Sequence, residues 1–286
     1  MPPPNFTQLL PSSKQLDTII KLRKKATYAA YNLLTLIDSR AVWNGDDVTS
    51  LQIATTESLT CGLIMSILVD IPWGGFMKYG GFGVYDTDAK RVFNNVSVDD
   101  VYTHKCASEM AIGILKNSNA TIAISVTGNA MPLNSSVDML GEVFIGVAGY
   151  NQKGEIMFMT KSINACKDNN VDEMKNLCVN WYNTIKLSNG KAYNSRKDTS
   201  AISQEIRYYT AIKAYELCID FITSLNPQVP LEVIQRKQIN ATTYHNNRHS
   251  LIPSNKYEFG GVGICKNKVC AITGNRNTEQ TNQYKI

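Results

Sequence analysis

Apolar residues recur at three- and four-residue steps near the start of the chain: Leu16, Ile19, Ile20, Leu22, Ala26, Ala29, Ala30, Leu33, Leu34 and Ile37. That period predicts an amphipathic helix, capped by Ser12 or Ser13 and ending near Ser39. Residues 1–13, rich in Pro and Ser, read as an arm. Asn44-Gly45-Asp46-Asp47 predicts a turn. Leu51 to Thr55 reads as a strand, and the apolar run Leu63 to Ile71 as a helix stopped by Pro72. A second strand is expected over Gly80 to Tyr85, with a short helical turn from Asp86 carrying Lys90. A helix from about Lys105 to Leu115 follows, turning Cys106, Met110, Ala111 and Ile114 inward, and then a strand from Thr121 to Val126. Glu142 to Tyr150 and Glu155 to Ile163 flank an Asn-Gln-Lys-Gly turn and predict a hairpin. Helices are expected near 171–187 and 201–224, with a polar linker at 188–200.

Strands alternating with helices place this chain in the α/β class, with a largely parallel sheet and one antiparallel hairpin. Beyond Asn226-Pro227 the pattern turns polar, with strands expected at Tyr257 to Ile264 and Lys268 to Thr273 and a disordered tail at 274–286. The predicted organisation is an arm (1–13), a main domain (14–226) with a polar insertion at about 165–200, and an extension (227–286).

Composition narrows the function classes. At 286 residues the chain has ample length for a buried core without disulfide or metal staples. No apolar run reaches the roughly 18–20 residues of a membrane span, and Met1-Pro2-Pro3-Pro4 does not open a signal peptide. Seven cysteines at irregular spacing then read as reduced thiols, and a cytoplasmic location is expected. A net charge of +5 is mild. The densest basic cluster, Lys21, Arg23, Lys24 and Lys25, reads as a solvated helix face, which argues against nucleic acid. Only three histidines exist, so a His-based hydrolase must draw on His104, His245 or His249. His245 and His249 are four apart, but no Glu follows His245, Asn246-Asn247 suggests a loop, and no metal site is expected there.

The segment most informative about chemistry is Thr56-Glu57-Ser58-Leu59-Thr60-Cys61-Gly62, a strand end running into a helix. A helix start offers unpaired N–H groups and a positive dipole end, suited to an oxyanion or a phosphate. Ser58 there fits a nucleophile elbow with a built-in oxyanion hole. A serine before a helix is also an ordinary N-cap, and the segment by itself leaves both readings open.

A second segment, Gly81-Phe82-Gly83-Val84-Tyr85-Asp86-Thr87-Asp88-Ala89-Lys90, adds to the first. Together they resemble the A-E-S-C-T-G-G and G-x-V-x-Y-S-N-E-A-K stretches of the CinA C-terminal domain family. These are competence/damage-inducible proteins that include nicotinamide mononucleotide deamidases. Ser125-Val126-Thr127-Gly128-Asn129-Ala130-Met131-Pro132 is similar to the family's T-G-I-A-G-P, and Gly141-Glu142-Val143 to its G-T-V. The resemblance covers about residues 14–165 and the helix at 201–224, and it implies a three-layer α/β/α domain with a mostly parallel, mixed sheet.

The resemblance also implies a Ser/Lys amidohydrolase needing no metal or cofactor. Ser58 would attack a carboxamide carbon and Lys90 would act as general base. Tyr85 would orient Lys90 or relay its proton. The N–H groups around Thr60, Cys61 and Gly62 would hold the oxyanion, and Thr127, Gly128 and Asn129 would line the substrate pocket. The implied partners are a small-molecule nucleotide or carboxamide and further copies of the chain. Three features depart from the family. Cys61 stands where the family carries a glycine, Met131 replaces the glycine before proline, and the loop at 134–140 lacks a lysine that would meet a phosphate. A catalytically silent module binding a nucleotide or a protein is therefore the alternative.

Overall fold

The computed structural model describes residues 13–44, 47–130, 139–168, 196–235, 260–265 and 268–273. The chain separates into two compact units, 1–234 and 235–286.

In the first unit, helix α1 (Ser13–Asp38) leads into a short antiparallel pair, β1 (Val42–Asn44) and β2 (Asp47–Thr49). The sequence pattern had offered only a turn there. Next come β3 (Ile53–Glu57), α2 (Leu63–Asp70), β4 (Lys78–Gly83), α3 (Thr87–Asn94), α4 (His104–Lys116) and β5 (Ile122–Gly128). The hairpin β6 (Glu142–Tyr150) and β7 (Ile156–Asn164) follows, then one helical turn, α5 (Ala165–Asp168), and the long α6 (Arg196–Leu225). The expected helix near 171–187 lies outside the described residues, as do the arm before Ser13 and the tail at 274–286. Helix α6 starts inside the stretch expected as polar linker.

The five-stranded sheet has the order β4-β3-β5-β6-β7. Strands β4, β3 and β5 run parallel, whereas β5, β6 and β7 are mutually antiparallel neighbours. The sheet is thus divided evenly between two parallel and two antiparallel pairings. Helices α1, α2 and α6 cover one face, and α3 and α4 cover the other. This is a three-layer α/β/α arrangement.

The period-2 alternation of the strands explains the two faces. Ile53, Ile122, Ile124, Val126, Val143, Ile145 and Val147 point to α1, α2 and α6 and form the main core. The other face carries Ala54, Ala123 and Ala148, packed on Ala111, Ile114 and Leu115 of α4. Small residues there let α4 come close. A Cβ on Gly146 would fall 2.5 Å from the Ala107 carbonyl, and Ser125 Oγ donates to that same oxygen. On α1, eight of the ten periodic positions are buried, but Leu16 and Ile20 are largely exposed. The stripe that meets α6 is therefore narrower than the periodicity suggested.

Strand β3 begins two residues later than its pattern predicts. Ladder pairing starts at Ile53, opposite Ile122, while the Gln52 carbonyl is taken by the Thr121 and Ile122 amides. The shift brings Glu57 into the strand and leaves Ser58 just past it. The chain leaves β3 for α2 on one face and β4 for α3 on the other. Loops diverging in this way open a crevice at the carboxyl ends of parallel strands.

The second unit contains β8 (Gly260–Cys265) and β9 (Lys268–Thr273), paired antiparallel.

Candidate active site

The crevice holds a cavity of about 390 Å³, within the range typical of small-molecule pockets. Ser58, Leu59 and Cys61 line it from the turn after β3. Tyr85, Thr87 and Lys90 line it from the end of β4 and from α3, and Gly128 and Asn129 from the end of β5. Six of the nine residues singled out in the sequence therefore face one cavity. Thr60, Gly62 and Thr127 do not line it. Thr127 is buried and its Oγ1 donates to the Val101 carbonyl, fixing a loop whose Val101 and Tyr102 do line the cavity.

Ser58 is held by the sheet. Its amide donates to the Val126 carbonyl on β5, while the Glu57 carbonyl accepts from Val84 at the end of β4. Lys90 lies on the inward side of α3 and is only 2% exposed. Its Nζ donates to the Tyr85 carbonyl at 3.0 Å and the Asp86 carbonyl at 3.5 Å. Burial holds the Lys90 amine below the ordinary lysine value of 10.5, with Cys106 and Asp86 pulling the other way. Burial also pushes the Cys106 thiol up to about 11, so near neutral pH it is an uncharged neighbour. Tyr85 meets Lys90 through its backbone carbonyl, while its side chain is 67% exposed. No direct hydrogen bond joins Ser58 Oγ to Lys90 Nζ.

The turn between β3 and α2 has an unusual backbone. Cys61 is left-handed at φ 44° and Gly62 at φ 95°. The Cys61 thiol is exposed and fits because Gly83 has no side chain; a Cβ there would lie 3.0 Å from the sulfur. Among the described residues, the Leu59, Thr60 and Cys61 amides have no acceptor, whereas the Gly62 amide donates to Glu57 Oε2 at 2.9 Å. The free donors are therefore displaced by one residue from those expected.

Sequence reasoning missed two contributors on α6. Ser203 and Arg207 line the cavity one helical turn apart. Arg207 Nη2 donates to the Thr60 carbonyl at 2.7 Å. Among the described residues, Arg207 Nε and the hydroxyls of Thr60 and Thr210 are buried without a partner. A signal was present: Ser203, Arg207 and Thr210 form a polar stripe at i, i+4 and i+7 among the buried Ile202, Ile206 and Tyr209. Among the described residues that line the cavity there is no Asp or Glu, and Lys90 and Arg207 are the cationic side chains.

His104 starts α4, where it meets Thr160 and the Phe144 ring, and it does not line the cavity. His245, His249, Met131 and most of the 134–140 loop lie outside the described residues. Among the described residues no cluster of His, Cys, Asp and Glu is arranged to hold a metal, and no helix is long and apolar enough to cross a membrane.

Residues 44–177 match the model of the CinA C-terminal domain. A CinA-like protein of Chlorobium limicola is 38% identical over 117 residues, covering 39% of this chain and 27% of that protein. A putative competence-damage inducible protein of Lysinibacillus sphaericus is 36% identical over 103 residues, covering 34% and 25%. The matched part spans about a quarter of the length of these curated relatives. Among solved structures, the competence/damage inducible protein CihA from Agrobacterium tumefaciens is similar at 22% identity and a TM-score of 0.47, covering 68% of this chain and 94% of that one.

Proposed function

We propose, for a chain that belongs to the CinA superfamily through its residues 44–177, that the cavity at Ser58 is an amidohydrolase site of the Ser/Lys type. The observation that carries this reading is the shared cavity. It brings together a serine at a strand end, a buried lysine whose amine is held below its usual value, and a turn whose lining residues Leu59 and Cys61 have amides without an acceptor among the described residues.

The chemistry needs the neutral form of Lys90, and its burial favours that form against the opposing pull of Asp86. Ser58 Oγ attacks the carboxamide carbon, and its proton passes to the Lys90 amine through one bridging water. The oxyanion that forms is held by N–H groups of Leu59 to Cys61. Lys90 returns the proton to the departing nitrogen, which leaves as ammonia. Water then attacks the acyl-enzyme with Lys90 again as base. The carboxylate product is released and Ser58 is re-protonated. With Lys90 and Arg207 at the wall, the pocket suits a carboxamide that also bears an anionic group. Nicotinamide mononucleotide is the first substrate to try.

A binding role without turnover is favoured by one observation, the missing direct hydrogen bond between Ser58 and Lys90. The experiment is to incubate the full chain with nicotinamide mononucleotide and follow ammonia and nicotinic acid mononucleotide. Turnover that vanishes in both Ser58→Ala and Lys90→Met supports the amidohydrolase. A silent wild type whose Tm rises with the nucleotide supports the binding module.

A further inference from the structure

The first turn of a helix normally leaves amides open to a ligand anion. Helix α2 does not, because the chain fills that position itself. Glu57 is fully buried. Its Oε2 accepts from the Gly62 amide at 2.9 Å and the Ile64 amide at 3.0 Å. Its Oε1 accepts from the Met65 amide at 3.0 Å and from Thr55 Oγ1 at 2.8 Å. The remaining amide of that turn, on Leu63, donates to the Thr60 carbonyl. A substrate anion therefore finds no donor at the start of α2.

What remains open is the turn before the helix, and it is held from two sides. Glu57 anchors its far end at Gly62. The Thr60 carbonyl is pinned by the Leu63 amide at 3.1 Å and by Arg207 Nη2 at 2.7 Å. A trans peptide directs its N–H opposite to its carbonyl. Pinning Thr60 O towards α2 and α6 therefore aims the Cys61 amide away from them. Gly62 takes its left-handed backbone without cost, whereas at Cys61 the same conformation is strained and is held by these contacts.

We infer that Glu57 is a positioning residue. It occupies the helix amides and so makes the Leu59–Cys61 turn, not the start of α2, the oxyanion site. This rests on the reading of Ser58 as nucleophile. In Glu57→Gln one carboxylate oxygen becomes an NH2 group, which cannot accept from the amides it faces. Some of the Gly62, Ile64 and Met65 amides then lose their acceptor while side-chain volume is kept.

Two measurements on the full chain test this. The first is ammonia release from nicotinamide mononucleotide. Glu57→Gln should lower kcat about 10- to 100-fold, as expected when oxyanion donors are misplaced, and leave KM within about threefold. The second is amide hydrogen exchange, in which residues 62–65 should exchange at least about tenfold faster in the variant. If Glu57→Gln does not fold, Thr55→Val removes only the hydroxyl donor and should lower kcat several-fold. An active wild type with unchanged kcat in these variants overturns the inference, as does a KM that rises as much as kcat falls. An inactive wild type overturns the nucleophile reading instead. In that case, unchanged exchange at 62–65 in Glu57→Gln also refutes the structural half.

Discussion

Helices α2 and α4 begin in different ways. Helix α4 starts on an ordinary cap, in which Thr103 is extended and its hydroxyl accepts from the Cys106 amide at 3.1 Å. Helix α3 does the same with Asp86 and the Asp88 amide at 2.7 Å. Helix α2 starts on a left-handed Gly62 with no cap of its own, and its amides go to a carboxylate five residues upstream, inside the sheet. The first two starts are local and end helices in the usual manner. The third couples a helix to the centre of the sheet and leaves an open turn over the cavity. The difference separates a cap that only stabilises from one that also shapes a site.

The sharpest way to break the comparison is to remove the side chains over the cavity. Ser58→Ala should cut ammonia release by at least about 10³-fold with little change in Tm, measured by coupled assay and thermal melting. Lys90→Met should cost about 10²- to 10³-fold in rate and at the same time stabilise the fold by about 1–2 kcal/mol, because a buried cation is replaced by an apolar chain. The sign follows from its lowered value. Below that value the ammonium is buried at full cost. As pH rises from there towards 10.5 the native state has lost a proton that the unfolded chain still binds, so wild-type stability climbs. Lys90→Met should remove that climb in melts taken as a function of pH.

Asp86 sharpens the comparison, since it both caps α3 and raises the Lys90 value. Asp86→Asn keeps a capping oxygen and removes the charge. The Lys90 amine should then lose its proton at lower pH, and the acid limb of kcat/KM should move down by a few tenths of a pH unit. Thr103→Ala, at the start of α4, should cost about 1 kcal/mol in denaturant unfolding and leave kcat within twofold. The smallest stability change is expected for Cys61→Gly. It relieves a left-handed side chain but loosens the unfolded state, for a net of no more than about 1 kcal/mol. Its clearer signature should be a lower KM from the widened wall.

Much of this layout was legible in the sequence. The strands over 122–128 and 142–164 and the helices at 13–38, 63–70 and 104–116 follow from the local pattern of apolar residues. Ser58, Lys90, Tyr85, Gly128 and Asn129 converge because strand ends gather loops at one edge of a parallel sheet. The donors were displaced because they depend on Glu57, which the pattern left in the turn beyond a strand expected to end at Thr55. Its capture of three amides needs the strand to run to 57 and the chain to turn back, a distance effect no local rule carries. Arg207 was missed for the same reason. Its helix is assigned by period, but its position over Thr60 is set by packing across 147 residues of sequence.

The most direct test of the account is to trap the intermediate on Ser58. The full chain is mixed with nicotinamide mononucleotide at a pH where ammonia release is fastest, quenched in acid within the first turnovers, and read by intact-protein and peptide mass spectrometry. The account predicts an added acyl nucleotide, less one ammonia, on the peptide containing Ser58, and none in Ser58→Ala. Ammonia release at full rate in Ser58→Ala, or an adduct on Cys61 in its place, would contradict it.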